Sequence, residues 1–353
     1  MAINSVKIFI NKKNLLNNIE YLNKNFNKKI LAVVKGNAYG HGIDLITKLL
    51  YENGHKDFAV ARLTEAEEIV RNNVFPNARI IIFESIGLED LHIIKENLNF
   101  HMTINELYEL KEAIEFGIPA ERMQLKIDFG FGRNGIGLED IDELKKYIDE
   151  NNLHFSGIYS HLFSVNYEEG LEIIDKFEQI INLLGKERFD MVHLQNSAGV
   201  ESFGSIPYTT HTRAGMLLYG LQEGGFYDKN IKLVLSIKGK IAGIRNLENS
   251  KYVAYNKKKD LNVGDCKRIA KIKFGYGDGF LKLNENTKCV IKNKEFNLSL
   301  ITMDNTFIEV DSSVQIGDEV ELYPYFNFME KLIKIKRIEL LSILSTRIER
   351  VVI

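Results

Sequence analysis

The sequence predicts an α/β chain in which an N-terminal (β/α)8 TIM-like barrel is followed by a C-terminal all-β domain. Three observations carry this expectation. From about residue 13 to about residue 225, short apolar runs rich in β-branched residues alternate with amphipathic helical stretches. After about residue 230, strand-like runs follow one another without helices, separated by turn signals. With 353 residues, the chain is long enough for a large barrel and a smaller second unit.

Taken in order, the run at residues 6–11 precedes the barrel pattern and is expected to pair into the β domain. Eight candidate barrel strands follow, at 29–35, 58–62, 78–84, 100–105, 123–129, 154–161, 190–196 and 212–219. Helical periodicity appears in Leu45, Ile46, Leu49 and Leu50 after the first of them. It appears again in Leu107, Leu110 and Ile114 after the fourth, where Asn105 is placed to cap the helix. Eight strands each followed by a helix or connection fit a barrel, and periodicity alone leaves an open doubly wound sheet as the alternative. Beyond the barrel, strands are expected at 231–245, 268–274, 288–291, 298–302, 319–323 and 332–344. Val263-Gly264-Asp265 and Ile316-Gly317-Asp318 mark turns. The expected domains are 13–230 for the barrel, and 1–12 with 231–353 for the β domain.

Composition narrows the function. A formal net charge of -2 gives no global electrostatic case for nucleic acid or an anionic membrane as partner. No apolar run approaches the ~20 residues of a membrane span. The N-terminus lacks the apolar core and small-residue cleavage site of a signal peptide, so a cytoplasmic protein is expected. Cys266 and Cys289 make no disulfide framework and lack metal-ligand spacing, and no metal is expected.

Chemistry in a barrel sits at the C-terminal ends of the strands. There the first barrel strand ends in Lys35, followed by Gly36-Asn37-Ala38-Tyr39-Gly40-His41-Gly42. The fifth contains Lys126 and runs into Gly130-Phe131-Gly132-Arg133. The sixth ends in His161, the seventh in Asn196-Ser197-Ala198-Gly199, and the eighth begins with Arg213. A lysine emerging beside an apolar wall has its charged form disfavoured and gains nucleophilicity, which attachment to an aldehyde cofactor requires. A solvated strand-end lysine is the commoner case for such a residue taken alone. Tyr39, Ser197 and the backbone at Gly215 and Met216 can cradle a phosphate, and no nucleotide-triphosphate loop is present. Arg133 suits a carboxylate, although a surface arginine is as common. In the β domain, Tyr276 lies within Gly275-Tyr276-Gly277-Asp278-Gly279, and Met303-Asp304 ends an apolar run.

Together these segments resemble the alanine racemases, fold-type III pyridoxal-phosphate enzymes. The strongest blocks are Ala32-Val33-Val34-Lys35-Gly36-Asn37-Ala38-Tyr39-Gly40-His41-Gly42 and Lys126-Ile127-Asp128-Phe129-Gly130-Phe131-Gly132-Arg133. Asn196-Ser197-Ala198, Arg213-Ala214-Gly215, Gly275-Tyr276-Gly277-Asp278-Gly279 and Met303-Asp304 complete the set. The resemblance implies pyridoxal 5'-phosphate as cofactor, an amino-acid substrate, and a head-to-tail homodimer with active sites at its interface. It also implies D-alanine supply for the cell wall. By motif position, Lys35 resembles the lysine that carries the cofactor. Tyr39, Ser197, Gly215 and Met216 resemble the phosphate contacts, with Asn196 beside them. Arg213 looks like the arginine facing the pyridine nitrogen, and His161 like the histidine against the cofactor ring. Tyr276 resembles a catalytic tyrosine donated by the partner subunit. Arg133 and the Met303 amide resemble the substrate-carboxylate contacts, with Asp304 in support. Lys126 is placed like a lysine often carbamylated in this family.

One departure bears on substrate. Residues 339–350 align with the family's ending, with Arg347 and Arg350 at its paired arginines, but Ile338 stands where the family has a tyrosine. That tyrosine narrows the approach to the active site, so side chains larger than methyl are expected to be tolerated. A racemase of serine, lysine or ornithine is therefore the alternative within enzymes, beside a related decarboxylase. A non-catalytic pyridoxal-phosphate carrier is the alternative outside them.

Overall fold

The computed structural model describes residues 6–71, 74–222, 228–257, 267–323 and 336–353. These form two compact units. One comprises Asn14–Tyr39 and Ile43–Lys232; the other takes the residues up to Lys13, Gly40–Gly42 and Leu233–Ile353.

Strand β1 (Lys7–Ile10) belongs to the second unit. The first unit is built on eight parallel strands: β2 (Lys29–Val33), β3 (Asp57–Val60), β4 (Arg79–Ile82), β5 (Phe100–Ile104), β6 (Met123–Lys126), β7 (Gly157–Tyr159), β8 (Val192–His193) and β9 (His211–Ala214). Their order is β8-β7-β6-β5-β4-β3-β2-β9. Backbone bonds from Thr210 N to Val192 O (2.8 Å) and from Arg213 N to Gln195 O (3.2 Å) bring β9 back to β8, so the ring is nearly closed. This is the expected barrel and excludes the open sheet. Covered on both faces, the strands carry continuous apolar runs such as Ile80-Ile81-Ile82, all fully buried. The flanking helices bury one stripe each. Ile43–Glu52 buries Ile46, Leu49 and Leu50 as its periodicity predicts, whereas Leu45 is only half-buried.

Two expectations fail locally. Asn105 is not the cap of the helix Leu107–Phe116. Glu106 holds that position, while the Asn105 amide donates to Glu109 Oε2 at 2.7 Å and its side chain donates to Ser85. The eighth barrel strand does not extend to 219. It stops at Ala214, because the chain turns at Gly215 and continues as a 3-10 turn, Met216–Tyr219.

The second unit carries one nine-stranded sheet and a small two-stranded ribbon. Its strands are β10 (Leu235–Lys240), β11 (Gly243–Asn246), the ribbon strands β12 (Tyr252–Val253) and β13 (Asn256–Lys257), β14 (Arg268–Ile272), β15 (Lys288–Ile291), β16 (Lys294–Ile301), β17 (Thr306–Glu309), β18 (Glu319–Leu322) and β19 (Arg350–Val352). The large sheet runs β11-β14-β17-β16-β15-β18-β10-β1-β19, antiparallel except for β1 against β19. β1 joins it as expected, in register with β10. The expected strand at 231–245 is two strands, β10 and β11. Of the expected strand at 332–344, residues 332–335 lie outside the described residues, and Arg337–Ser342 is a helix. Cys266 and the turn Val263-Gly264-Asp265 also lie outside them. Cys289 is a buried thiol, pushed up to about 12 by burial. Gly40–Gly42 group with this unit because Arg350 Nε and Nη2 donate to the Gly40 carbonyl at 3.1 and 3.0 Å.

The N-terminal ends of the barrel strands hold a polar cluster in which His101 and His211 are buried and Asp57 and Arg79 half-buried. Asp57 pairs with Arg79 (2.6 Å) and lies 3.6 Å from His211 Nε2. Next to them on β5, His101 is buried, and among the described residues its Nδ1 has no hydrogen-bond partner. Burial, with help from Arg79 and Arg122, pushes His101 down to about 3. The folded state therefore holds it neutral while the unfolded chain protonates it near 6.5. Its contribution to stability is complete above that value and is lost as pH falls towards about 3, at up to about 1.4 kcal/mol per pH unit. Replacing His101 by Met is expected to flatten the fall in the denaturant midpoint between pH 7 and pH 4.5. An unchanged slope would show that His101 does not titrate as described.

Candidate active site

At the C-terminal ends of the strands the barrel opens into a cavity of about 650 Å³. Lys35, Tyr39, Lys126, Arg133, His161, Asn196, Ser197, Arg213, Gly215 and Met216 all line it, joined by Phe83, Glu84 and Tyr159. Ten residues singled out in the sequence thus meet in one place.

Lys35 follows the buried Val34 at the end of β2. The next four residues, Gly36, Asn37, Ala38 and Tyr39, have φ of 62°, 54°, 53° and 52°. This is a turn of left-handed helix, and for the three with side chains it costs about 1–2 kcal/mol each. It persists because its groups are satisfied elsewhere. Ala38 N donates to Val34 O at 2.8 Å, Ile43 N donates to Asn37 Oδ1 at 2.8 Å, and Gly36 N donates to Glu65 Oε1 at 2.6 Å. Ala38 and Tyr39 are buried. The turn aims Lys35 and Tyr39 at the same cavity. The Tyr39 ring packs 5.3 Å from that of Tyr219, and burial pushes its phenol up to about 12. A Cβ placed on Gly215 would lie 2.5 Å from the Tyr39 hydroxyl, so only glycine lets that hydroxyl and the Gly215 backbone converge. Ser197 Oγ accepts from Leu217 N at 3.3 Å, tying the third wall of this cradle to the turn after β9.

Arg213 is buried across the barrel axis. Its Nη1 donates to His193 Nδ1 (2.8 Å), and its Nη2 donates to the carbonyls of Ser160 (2.9 Å) and Leu194 (2.7 Å). Among the described residues it has no carboxylate partner. Burial lowers it to about 10, so it remains charged at neutral pH. Because His193 Nδ1 accepts, His193 carries its proton on Nε2, which faces Gln124 Oε1 at 3.2 Å. Gln124 in turn donates to Ser156 Oγ at 2.7 Å. Tyr159 stacks on His193 with ring centres 4.7 Å apart. His193, Gln124 and Tyr159 were not singled out in the sequence. For two of them the spacing carried a signal: Gln124 and Tyr159 stand two residues before Lys126 and His161, the interval that returns a strand to the same face.

Burial first, and the positive charge second, set the neighbouring groups. Burial, then Arg213, Arg133, Lys126 and Lys35, pushes His161 down to about 3, so its ring is neutral. Asn196 Nδ2 lies 3.3 Å from His161 Nε2, and Phe131 stacks on the ring with centres 5.1 Å apart. Burial, then Arg133 and Arg213, pushes the Lys126 ammonium down to about 8. Burial also lowers Lys35, with Arg133 and Arg213 adding to it and Glu65 and Glu84 opposing.

Arg133 sits on a loop organised by Asp128. Asp128 Oδ1 accepts from Gly130 N and Phe131 N, and Oδ2 from Gly132 N and Arg133 N, at 2.7–3.2 Å. The Arg133 guanidinium lies 4.7 Å over the Phe131 ring.

Tyr276, Met303 and Asp304 form a separate group in the second unit. Tyr276 begins a 3-10 turn, and its amide and that of Gly277 donate to Thr302 O (3.1 Å) and Met303 O (2.9 Å). A Cβ on Gly275 would lie 2.1 Å from Thr302 O, so this close approach needs glycine. Arg347 clamps the two turns together, bonding Asp278 through Nε and Asp304 through Nη2 (3.0 Å). The clamp leaves Tyr276 41% exposed. Ile338 is half-buried in the helix Arg337–Ser342. Among the described residues no cluster of His, Cys, Asp or Glu could hold a metal ion, and no helix is long and apolar enough to cross a membrane.

Comparison with known proteins points one way. Residues 10–223 match the alanine racemase N-terminal domain, and residues 234–352 match the alanine racemase C-terminal domain. An alanine racemase of Fusobacterium nucleatum is 32% identical over 326 residues, covering 89% of each chain. One of Chlorobaculum tepidum is 28% identical over 344 residues, covering 92% of this chain and 89% of the relative. Among solved structures, the alanine racemase of Clostridium difficile 630 has a TM-score of 0.83 at 25% identity over 99% of this chain and 95% of its own. The Bartonella henselae alanine racemase, solved with covalently bound pyridoxal phosphate, shares the fold, with a TM-score of 0.82 at 20% identity over 99% of both chains. The chain belongs to the alanine racemase family.

Proposed function

We propose that the chain is a pyridoxal-phosphate-dependent racemase interconverting L- and D-alanine, active as a homodimer in the cytoplasm and supplying D-alanine for the cell wall. The observation that carries this reading is the convergence of Lys35, Arg213 and the Tyr39–Ser197–Gly215 cradle on one cavity.

The residues present fit the cofactor. The cavity has room for a substituted pyridine with its phosphate and a small amino acid. The Tyr39 and Ser197 hydroxyls and the backbone at Gly215 and Met216 would hold the phosphate, Lys35 the aldehyde carbon, and Arg213 the pyridine nitrogen, with His161 against the ring. When bound, the cofactor supplies a conjugated electron sink that makes the α-proton of an amino acid acidic. Arg133 and the Met303 amide would hold the substrate carboxylate, a group common to all α-amino acids. Lys35 takes or returns the proton on one face of the α-carbon, since its burial favours the free amine. The hydroxyl of Tyr276 of the partner subunit does so on the other. Arg213 keeps its proton at neutral pH, so it would offer the ring nitrogen a hydrogen bond without giving up a proton.

Purified protein given L-alanine should form D-alanine to an equal mixture by chiral chromatography. Slower turnover of serine or lysine is expected because Ile338 leaves the approach wider than a tyrosine would, and it should weaken in Ile338→Tyr. Lys35→Ala and Tyr276→Phe should each lose activity by orders of magnitude, and mixing them should restore part of it by forming one intact site per heterodimer. No turnover of any amino acid would end the racemase reading. No recovery in verified heterodimers would place Tyr276 outside the partner's site.

Lys126 is the second element of this reading. An amine held near 8 has a neutral fraction at physiological pH, and its lone pair can add to carbon dioxide with loss of a proton. The resulting carbamate would replace a cation beside Arg133 with an anion that orients it. Labelled bicarbonate should give a carbamate carbonyl resonance that Lys126→Ala abolishes. Absence of the resonance at saturating bicarbonate would refute the modification.

A further inference from the structure

Glu65 stands on the third residue of the helix Leu63–Arg71 and lies outside the cavity lining. One of its oxygens has an ordinary task. Oε2 accepts from Ala61 N (2.8 Å) and Arg62 N (3.1 Å), closing the first turn of the helix as a capping glutamate does. Glu109 does the same on the helix Leu107–Phe116, where Oε2 accepts from Asn105 N (2.7 Å) and Glu106 N (3.2 Å). Glu65 has an additional partner. Its Oε1 reaches across to the loop after the neighbouring strand and accepts from Gly36 N at 2.6 Å. Gly36 is the first residue of the left-handed turn, directly after Lys35.

We propose that Glu65 is a positioning residue for Lys35, its Oε1 pinning the Gly36 amide and with it the strained turn that aims Lys35 and Tyr39 into the cavity. The inference rests on the reading of Lys35 as the cofactor lysine. Three features support it. The turn carries three side-chain-bearing residues in the left-handed region, so it needs external bonds, and the Glu65 bond is made by a carboxylate at short range. The same carboxylate supplies negative charge near a lysine otherwise facing Arg133 and Arg213, with Lys126 and His161 in the same cavity and Glu84 as the acid in its lining. Finally, Glu65 joins the ends of β2 and β3, fixing Lys35 relative to the next strand and not only to its own.

The consequence is a division of labour between reach and charge. Glu65→Gln keeps the length but removes the charge and one acceptor. Glu65→Asp keeps the charge but is too short to serve both loops. Glu109→Gln makes the same change at an equivalent cap that does not touch the turn. The test has two readouts. One is labelling of Lys35 in the cofactor-free protein with an amine-reactive reagent, followed by peptide-resolved mass spectrometry across pH. The other is equilibrium binding of pyridoxal phosphate. For Glu65→Gln the labelling midpoint should move down by about half a pH unit, a roughly threefold rise in free amine. Cofactor binding should weaken about tenfold, the loss expected for one charge-assisted bond. For Glu65→Asp the midpoint should stay while binding weakens, and Glu109→Gln should leave both readouts at wild type. The proposal is overturned if Glu65→Gln matches wild type in both, or if Glu109→Gln reproduces its changes. Should Glu65→Gln not fold, Glu65→Asp decides: wild-type binding overturns the proposal, and weakened binding with an unmoved midpoint upholds it. Labelling needs no turnover, so failure of the racemase reading would appear separately, in the wild-type assay with alanine.

Discussion

A guanidinium buried in the barrel with no carboxylate among the described residues is the constraint on which the rest of the site depends. Burying an unpaired charge is worth several kcal/mol of instability unless other groups compensate it. Arg213 is compensated by backbone carbonyls at the ends of β7 and β8 and by a neutral histidine. That arrangement fixes the tautomer of His193, and through it the orientation of Gln124 and Ser156. It also determines what its neighbours can be. Burial, with Arg213 and Arg133 close by, keeps His161 neutral and disfavours the ammonium forms of Lys35 and Lys126. The cavity is thereby short of negative charge, which suits a phosphate and a carboxylate as its occupants.

Apart from Glu84, which lines the cavity, carboxylates act one layer out, where they fold loops. Asp128 gathers four successive amides and so shapes the loop that presents Arg133. Glu65 holds the turn that presents Lys35. In the second unit Asp278 accepts from Gly275 N and from Arg347, shaping the turn that presents Tyr276. In each case a side-chain carboxyl stabilises backbone that would not hold its shape alone, and the cation or phenol it presents remains available for a ligand. The groups proposed for catalysis thus inherit their placement from strand ends and from acid-bound loops together.

The barrel was legible because parallel strands buried on both faces leave unbroken apolar runs, and helices between them leave 3.6-residue stripes. The second unit was legible as β from its turn spacing, yet the division of 231–245 into two strands was not, since both halves alternate alike. The helix Arg337–Ser342 read as strand because Ile338, Leu340 and Leu341 sit in an apolar run too short to show a helical period. Asn105 fitted the rule for a cap, but Glu109 recruited its backbone amide and the cap fell to Glu106. Lys35, Arg213 and their companions were found by position at strand ends and by resemblance. His193 and Gln124 were missed because they lie one pleat deeper, where polar residues look like isolated exceptions in a core. Glu65 was hidden for another reason: its sequence signature is that of a helix cap, and only the fold brings Gly36 within its reach.

The central claim is that Arg213, locked by the His193 ring and the carbonyls of Ser160 and Leu194, would meet the cofactor nitrogen as a donor that keeps its proton. The direct measurement is the 15N chemical shift of the pyridine nitrogen in protein reconstituted with labelled pyridoxal phosphate. The account predicts the shift of an unprotonated, hydrogen-bonded nitrogen, constant across neutral pH. A pyridinium shift, or titration of the nitrogen in that range, would contradict it.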